Sequence, residues 1–203
     1  MEATFESPHT EYSAYYASVN WNKQTYLLDL EDDNDRFQAY RLFQGADIVI
    51  SNYRLNVAQK LGVNYETLRK DNPNLIFAQL NAFDAHSERP AFDVVLQAEA
   101  GFMYMNGEAE GPPVKMPVAL IDVLAAHQLK EAILLALLRR TQTGEGAYIA
   151  TSLFEAAIAS LVNQASNWLM NSHIPQRMGT QHPNIAPYGD VIFVPTKNPF
   201  YWP

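Results

Sequence analysis

The sequence predicts an α/β fold in which a parallel sheet is covered by crossover helices. Two short runs, DIVISN (residues 47–52) and NLIFAQL (74–80), are almost continuously apolar, as strands buried on both faces of a parallel sheet are. Helical patterns flank both runs. An alternation of strands and helices of this kind indicates an open, doubly wound, Rossmann-like sheet with right-handed connections.

The first half of the chain supplies the elements around these two strands. TYLLDL (25–30) is a further β-type run, and the acidic cluster at residues 31–35 marks the start of the helix that follows it. Two short helical patterns, 57–61 and 65–70, separate the buried runs and end at Asn72-Pro73. We therefore expect the order strand, helix, strand, two helices and strand.

The second half is predicted to be mainly helical. Apolar residues recur at helical spacing from Phe92 onwards, and a turn-rich stretch, NGEAEGPPVKMP (106–117), precedes a long helix that begins near Asp122. That helix is expected to end at the glycine turn formed by residues 144–146. The remaining patterns predict a strand at 147–153, one helix over 154–170, and a tail, VIFVPTKNPFYWP (191–203), that starts as a strand and stops among prolines.

The amino-acid composition limits which partners the protein can bind and in which compartment it is expected. The chain has 203 residues, a formal charge of -8 and a pI near 5.0, which argues against nucleic acid as a partner because phosphate backbones need a basic surface. No cysteine is present, so disulfides, thiolate metal sites and cysteine nucleophiles are excluded. The polar N-terminus does not resemble a secretory signal, and no apolar run reaches the ~20 residues that span a bilayer. We expect a cytoplasmic protein with no membrane partner.

Asp122 is the first candidate for chemistry. It follows an apolar stretch, VALI, and stands at the predicted start of the long helix. The helix N-terminus would stabilise its anion, and nearby backbone N–H groups could serve a developing oxyanion. Aspartate is also a preferred N-cap residue, so the position has a simpler explanation without chemistry.

A second candidate region follows the strand DIVIS. Asn52, Tyr53 and Arg54 lie where open α/β sheets bind ligands, beyond the carboxyl ends of the strands, and Arg54 and Lys60 are placed to face a phosphate. A solvated loop carrying two cations is the plainer interpretation. The five histidines show no metal-ligand spacing, and no GxSxG motif supports a serine nucleophile, so neither a metal site nor a serine triad is expected.

Successive blocks of the chain resemble the family III coenzyme A transferases. They are SVNWNKQTYLLDL, DIVISNYR, LGVNYETLRKDNPNLIFAQLNAF, RPAFDVVLQAEAGFMYMNGEAEGPPVKMPVALIDVLAAH, RTQTGEGAYIATSLFEAA and RMGTQHPNIAPY. These blocks run in the family's order and cover about residues 14 to 190. The family includes formyl-CoA transferase and carnitine CoA-transferase, and the α-methylacyl-CoA racemases are relatives.

The resemblance implies a reaction and a catalytic residue. Asp122 matches the family's catalytic aspartate in the segment after GPPxK, so its carboxylate is expected to attack an acyl-CoA thioester. An aspartyl-acyl anhydride and then an aspartyl-CoA thioester would follow, before the acceptor carboxylate takes over the CoA. The implied substrates are an acyl-CoA and a carboxylic acid, with coenzyme A as substrate and with no further cofactor.

Contacts to CoA follow from the same resemblance, residue by residue. Asn52 and Tyr53 match the family's Asn-Phe pair, Lys60 matches a basic residue shortly after it, and Leu28 matches an apolar contact near the adenine. Gln97 lies in the block that resembles YDxxxQA, closer to the reaction centre. The chain departs from the family pattern at three places: Glu31 stands where many members have lysine, Leu55-Asn56 replaces Pro-Gly, and Ala91-Phe92-Asp93 replaces Gly-Tyr-Asp or Gly-His-Asp.

The resemblance also implies more chain than is present here. Members begin with a nucleotide-fold strand and continue through a smaller domain, so residues 1–190 are expected to be an incomplete large domain and 191–203 a truncated or divergent tail. Intact members form interlocked homodimers, and we expect little activity and weak CoA affinity from a chain that lacks both ends.

Two other functions stay open on the sequence alone. One is an isomerase like α-methylacyl-CoA racemase, which is disfavoured because Phe92 stands where that chemistry uses a histidine. The other is a non-catalytic remnant of a transferase.

Overall fold

The computed structural model describes residues 13–84, 87 and 89–188. The chain divides into two compact units, residues 1–39 and 40–203. The tail predicted for residues 191–203 and the domain boundary at 190 lie outside the described residues. None of the described helices is both long enough and apolar enough to cross a membrane.

The first unit begins, within the described residues, with a short helix, α1 (Ala14–Val19), whose N-terminus is capped by the Ser13 hydroxyl. The prediction of a strand at residues 25–30 is wrong: the backbone there is irregular, and Leu27 is 99% exposed. A β-type run becomes a strand only where a neighbouring strand pairs with its N–H and C=O groups, and no described strand pairs with this one. The acidic helix start is confirmed, since α2 (Asp33–Gln44) carries Asp33 and Asp35 in its first turn.

The described sheet has three parallel strands, β1 (Ile48–Ser51), β2 (Ile76–Asn81) and β3 (Ala147–Ser152), in that spatial order. Ile76 at the start of β2 pairs with Ile48 on one side and with Ala147 on the other. All three were predicted as strands, β1 and β2 as apolar runs buried on both faces. Burial is confirmed for most of β2, whereas β1 lies at the edge of the described sheet and its Ile50 is 63% exposed. The parallel arrangement follows because every connection between the strands contains helices, which return the chain to the same edge of the sheet.

The helices of the second unit connect and extend this sheet. They are α3 (Leu55–Leu61), α4 (Tyr65–Leu68), α5 (Asp93–Glu99), α6 (Phe102–Met105), α7 (Leu120–Thr143), α8 (Leu153–Ala159) and α9 (Asn163–Asn171). The single helix predicted over 154–170 is instead two, because the chain breaks between α8 and α9, where Val162 adopts a positive φ of 45°.

Helices cover both faces of the sheet. Along β2, Phe77 packs with Leu68 and Leu75 on one face, whereas Ala78 packs with Leu129 and Ile133 of α7 on the other. This alternation is the period-2 geometry of a strand buried on both sides. The α/β prediction is therefore confirmed in its coarse form, and the Rossmann-like topology stays a prediction.

The long helix α7 runs against the strand direction. Near its C-terminus the Arg140 guanidinium donates to the backbone carbonyls of Asp47 (3.2 Å) and Asn74 (3.1 Å), which precede β1 and β2. Its first turns instead pack in a core cluster with Phe83 and Leu153, which follow the carboxyl ends of β2 and β3. The N-terminus of α7 consequently lies at the carboxyl edge of the sheet.

Candidate active site

Asp122 occupies the first turn of α7 and is exposed, while its neighbour Ile121 is fully buried. Burial of Ile121 fixes the start of the helix in the core cluster, so the next residue points away from it. The carboxylate is thereby presented to solvent at the end of the helix where backbone N–H groups lack intrahelical partners. This is a geometry in which an incoming carbonyl group can reach the carboxylate.

The N-cap explanation for Asp122 does not hold in the structure. The N-cap residue of α7 is Ala119, whose side chain has no polar atom to offer. The cap comes from another helix: Asp93 of α5 accepts hydrogen bonds through Oδ2 from the backbone N–H of Ile121 (2.6 Å) and of Asp122 (3.3 Å). Asp122 is therefore free of the capping role that would have explained it without chemistry.

The pKa of Asp122 is raised from its ordinary value of 3.8. The larger cause is desolvation, because neighbouring protein groups shield part of the otherwise exposed carboxylate from water, and the second is repulsion from the Asp93 carboxylate. Both effects make the anion more basic and more reactive toward an electrophilic carbon. The start of α7 thus combines an accessible carboxylate with surroundings that activate it.

Gln97 is buried behind this site. Its side chain is only 1% exposed, its Oε1 accepts from the backbone N–H of Met116 (2.8 Å), and its Nε2 donates to the Val118 carbonyl (3.3 Å) and to the Asp93 carboxylate. The structure therefore places Gln97 close to Asp122 in the fold, with its amide directed at protein groups. The predicted CoA contact of Gln97 stays a prediction.

The loop after β1 lies at the same carboxyl edge of the sheet as Asp122. Asn52, Tyr53 and Arg54 are all exposed, and Arg54 is the N-cap residue of α3. Lys60 is exposed in the last turn of that helix. Gln79 of β2 holds this loop, because its Nε2 donates to the Tyr53 carbonyl at 2.9 Å.

Leu28 belongs to the first compact unit and is half-buried in the irregular segment before α2. Phe92, at the position that matters for racemase chemistry, is 80% exposed at the start of α5. No group of three or more His, Asp or Glu side chains that could hold a metal occurs in the described part of the chain.

Sequence reasoning did not single out Asp93 or Gln79. Each acts on a backbone group more than twenty residues away, so no local motif reveals it. The only available signal for Asp93 was its place in the AFD block that departs from the family's Gly-Tyr-Asp. Its capping role needed the packing of α5 against α7.

A cavity of about 290 Å³ lies on the face of the sheet opposite α7. Tyr65, Phe77 and Tyr148 line it and pack on one another with ring centroids 5.4–6.1 Å apart. Leu55 of α3 and Gln79, which holds the loop after β1, also line the cavity, so it adjoins that loop.

Fold and site together define an α/β protein with an activated carboxylate at a helix N-terminus beside the carboxyl edge of a parallel sheet. The family model for CoA-transferase family III matches residues 2–197. The chain is 35% identical over 191 residues to the succinate–glutarate CoA-transferase of Agrobacterium fabrum, covering 93% of this chain and 47% of that protein. It belongs to CoA-transferase family III.

Two further similar proteins support membership of the same family. Succinyl-CoA:mesaconate CoA-transferase of Haloarcula hispanica is 33% identical over 184 residues, covering 87% of this chain and 46% of that protein. The crystal structure of a CaiB/BaiF family protein from Brucella suis superposes with a TM-score of 0.82 at 36% identity, covering 87% of this chain and 48% of the other. The chain thus spans about half the length of the relatives it matches.

Proposed function

We propose that this chain carries the nucleophilic half of a CoA-transferase, in which the Asp122 carboxylate is acylated during transfer of coenzyme A between an acyl-CoA and a carboxylic acid. The observation that supports this most strongly is the setting of Asp122. It is exposed, its pKa is raised, and Asp93 of another helix caps α7 in its place. Covalent catalysis by a carboxylate needs an accessible nucleophile and no general base, because a carboxylate with an ordinary pKa is ionised at neutral pH.

The proposed reaction balances without a metal or a redox partner. An oxygen of Asp122 attacks the thioester carbon, the C–S bond breaks, and CoA leaves as the thiolate from an aspartyl-acyl anhydride. The thiolate then attacks the aspartyl carbonyl carbon, so that the donor acid leaves as a carboxylate and an aspartyl-CoA thioester remains. The acceptor carboxylate repeats both steps in reverse order, which forms the new acyl-CoA and restores Asp122.

Coenzyme A would approach along the carboxyl edge of the sheet. The loop of Asn52, Tyr53 and Arg54 lies at that edge, and the exposed cations Arg54 and Lys60 suit the phosphates of CoA. Leu28 is proposed to contact the adenine, and Gln97 to act near the reaction centre. Glu31, where many members have lysine, is expected to weaken phosphate binding.

The relatives suggest which acids to test. The proteins of Agrobacterium fabrum and Haloarcula hispanica are named for succinate with glutarate and for succinyl-CoA with mesaconate. We propose short dicarboxylic acids as donor and acceptor here, and an interlocked homodimer for the intact enzyme.

The test is chemical trapping. The protein is incubated with succinyl-CoA, quenched with hydroxylamine, digested and analysed by mass spectrometry for an aspartyl hydroxamate. We expect the modification on Asp122, and in the full-length enzyme we expect Asp122→Asn to lower transfer to glutarate by at least about 10³-fold, since removing a nucleophile costs at least that much. Glu131→Gln, which removes an exposed carboxylate from the middle of the same helix, is the matched control and should keep full activity.

Trapping at another carboxylate, together with transfer that survives in Asp122→Asn, would disprove the assignment.

A further inference from the structure

Two side chains of α5 attach the segment that leads into α7. Gln97 binds this segment at both ends of Met116-Pro117-Val118, accepting from the first backbone N–H (2.8 Å) and donating to the last carbonyl (3.3 Å). One turn earlier on α5, Asp93 accepts from the N–H groups of Ile121 and Asp122. The two side chains are also bonded to each other, Gln97 Nε2 to Asp93 Oδ1.

We propose that Asp93 and Gln97 act together as positioning residues for Asp122, an inference that rests on the proposed function. The pair, here called the Asp93–Gln97 clasp, fixes the backbone from residue 116 to residue 122 through four hydrogen bonds, and a fifth joins the two side chains. The clasp so sets where the nucleophilic carboxylate points. A carboxylate that must meet a thioester carbon at bonding distance depends on such fixing, because a displacement of about 1 Å costs on the order of 10²-fold in rate.

The donor and acceptor roles within the clasp are fixed. Since Oε1 of Gln97 accepts from a backbone N–H, its Nε2 is the atom that faces Asp93, and Asp93 must then offer acceptors on both sides. Both oxygens of Asp93 are used in this way, Oδ1 by the amide and Oδ2 by the start of α7. Gln97 is 1% exposed, so water cannot replace a lost partner easily.

These donor and acceptor roles predict how substitutions of similar size at positions 93 and 97 change the hydrogen bonding. Asp93→Asn sets a donor against a donor in either orientation of the new amide, facing Gln97 in one and Ile121 in the other. Gln97→Glu sets the new carboxylate against the Asp93 carboxylate. The double variant Asp93→Asn/Gln97→Glu restores four of the five bonds, because the new amide at 93 donates to the new carboxylate at 97 and still accepts from Ile121 and Asp122.

The experiment is a double-mutant cycle on the protein with two readouts. With succinyl-CoA and glutarate, each single exchange is expected to lower kcat by at least about tenfold with the KM for succinyl-CoA within about twofold, and the double variant to recover most of the loss. Hydrogen exchange of the amides of Met116, Ile121 and Asp122 should be faster in both single variants and slow again in the double variant. Glu99→Gln, two turns along α5 and paired with Arg89, is the matched control and should change neither readout.

Three results would overturn the proposal. A raised KM with unchanged kcat in Gln97→Glu would mean that Gln97 contacts CoA and does not position Asp122. Additive losses in the double variant would show that the two residues do not act as a unit. Unchanged exchange of the three amides in both single variants would show that the clasp does not hold this segment. The exchange readout does not depend on transfer, so it decides even if this chain transfers no CoA, whereas the proposed function is tested separately by trapping on Asp122.

Discussion

Asp93 and Asp122 are separated by 29 positions in the sequence, yet Oδ2 of Asp93 lies 3.3 Å from the backbone nitrogen of Asp122. The same oxygen accepts from Ile121, so one carboxylate caps the helix that presents the other. The contact has two opposite effects. It stabilises the N-terminus of α7, and its negative charge adds to the larger effect of desolvation in raising the pKa of Asp122.

The stability of the protein should depend on the ionisation of Asp122. Because the folded-state pKa is raised above the ordinary value of 3.8, the folded state binds this proton more tightly than the unfolded state does. The resulting stabilisation is fully present below pH 3.8 and is lost as the pH rises through the raised pKa. Asp122→Asn cannot ionise, so we expect its urea midpoint to exceed that of the unmodified protein at pH 7.

The difference in midpoint should shrink as the pH is lowered toward 3.8, measured by urea titration at several pH values. Glu131→Gln serves as the control for loss of one negative charge on the same helix. An Asp122→Asn midpoint at or below that of the unmodified protein at pH 7 would contradict the expectation.

Arg140 should be worth more to stability than its neighbour Arg139. The Arg140 guanidinium is only 21% exposed and binds two backbone carbonyls and the Asp47 carboxylate, which ties the C-terminus of α7 to the start of the sheet. Arg139 makes one exposed ion pair, with Glu145. We expect Arg140→Gln to lower the free energy of unfolding by about 1–3 kcal/mol.

Arg139→Gln is the matched control, and its effect should stay within about 0.5 kcal/mol because exposed ion pairs contribute little. Urea unfolding at neutral pH measures both. Equal losses in the two variants would show that the carbonyl contacts of Arg140 do not stabilise the sheet.

Transfer and racemisation can be separated at position 92. Phe92 has no titratable group and is 80% exposed, so it cannot exchange a proton with the α-carbon of an acyl-CoA. From an intact enzyme with this sequence we expect transfer of CoA to dicarboxylate acceptors with no deuterium incorporated from heavy water into a 2-methylacyl-CoA. The two assays are run side by side on the same preparation, and rapid α-deuteration without transfer would favour the isomerase.

Local sequence signals were enough to predict many of the helices and strands. The acidic start of α2, the apolar runs of β1 and β2, and the glycine turn after α7 each act through residues within a few positions of one another. The two errors, a strand at 25–30 and one helix over 154–170, arose where the outcome depends on more distant partners. An extended run needs a pairing strand, and a helical pattern does not show where packing breaks the helix.

The sequence by itself determined the α/β class, the three described strands, the long helix that begins near Asp122, and membership of CoA-transferase family III through the order of its blocks. Only the tertiary structure decided what surrounds Asp122: that Ala119 and not Asp122 is the N-cap, that Asp93 caps α7 from α5, and that Gln97 is buried against residues 116–118. The physical reason is how far apart in the sequence the interacting residues lie. Helix and strand preferences are set by neighbours in the chain, whereas a hydrogen bond between α5 and α7 exists only after the hydrophobic core has brought the two helices together.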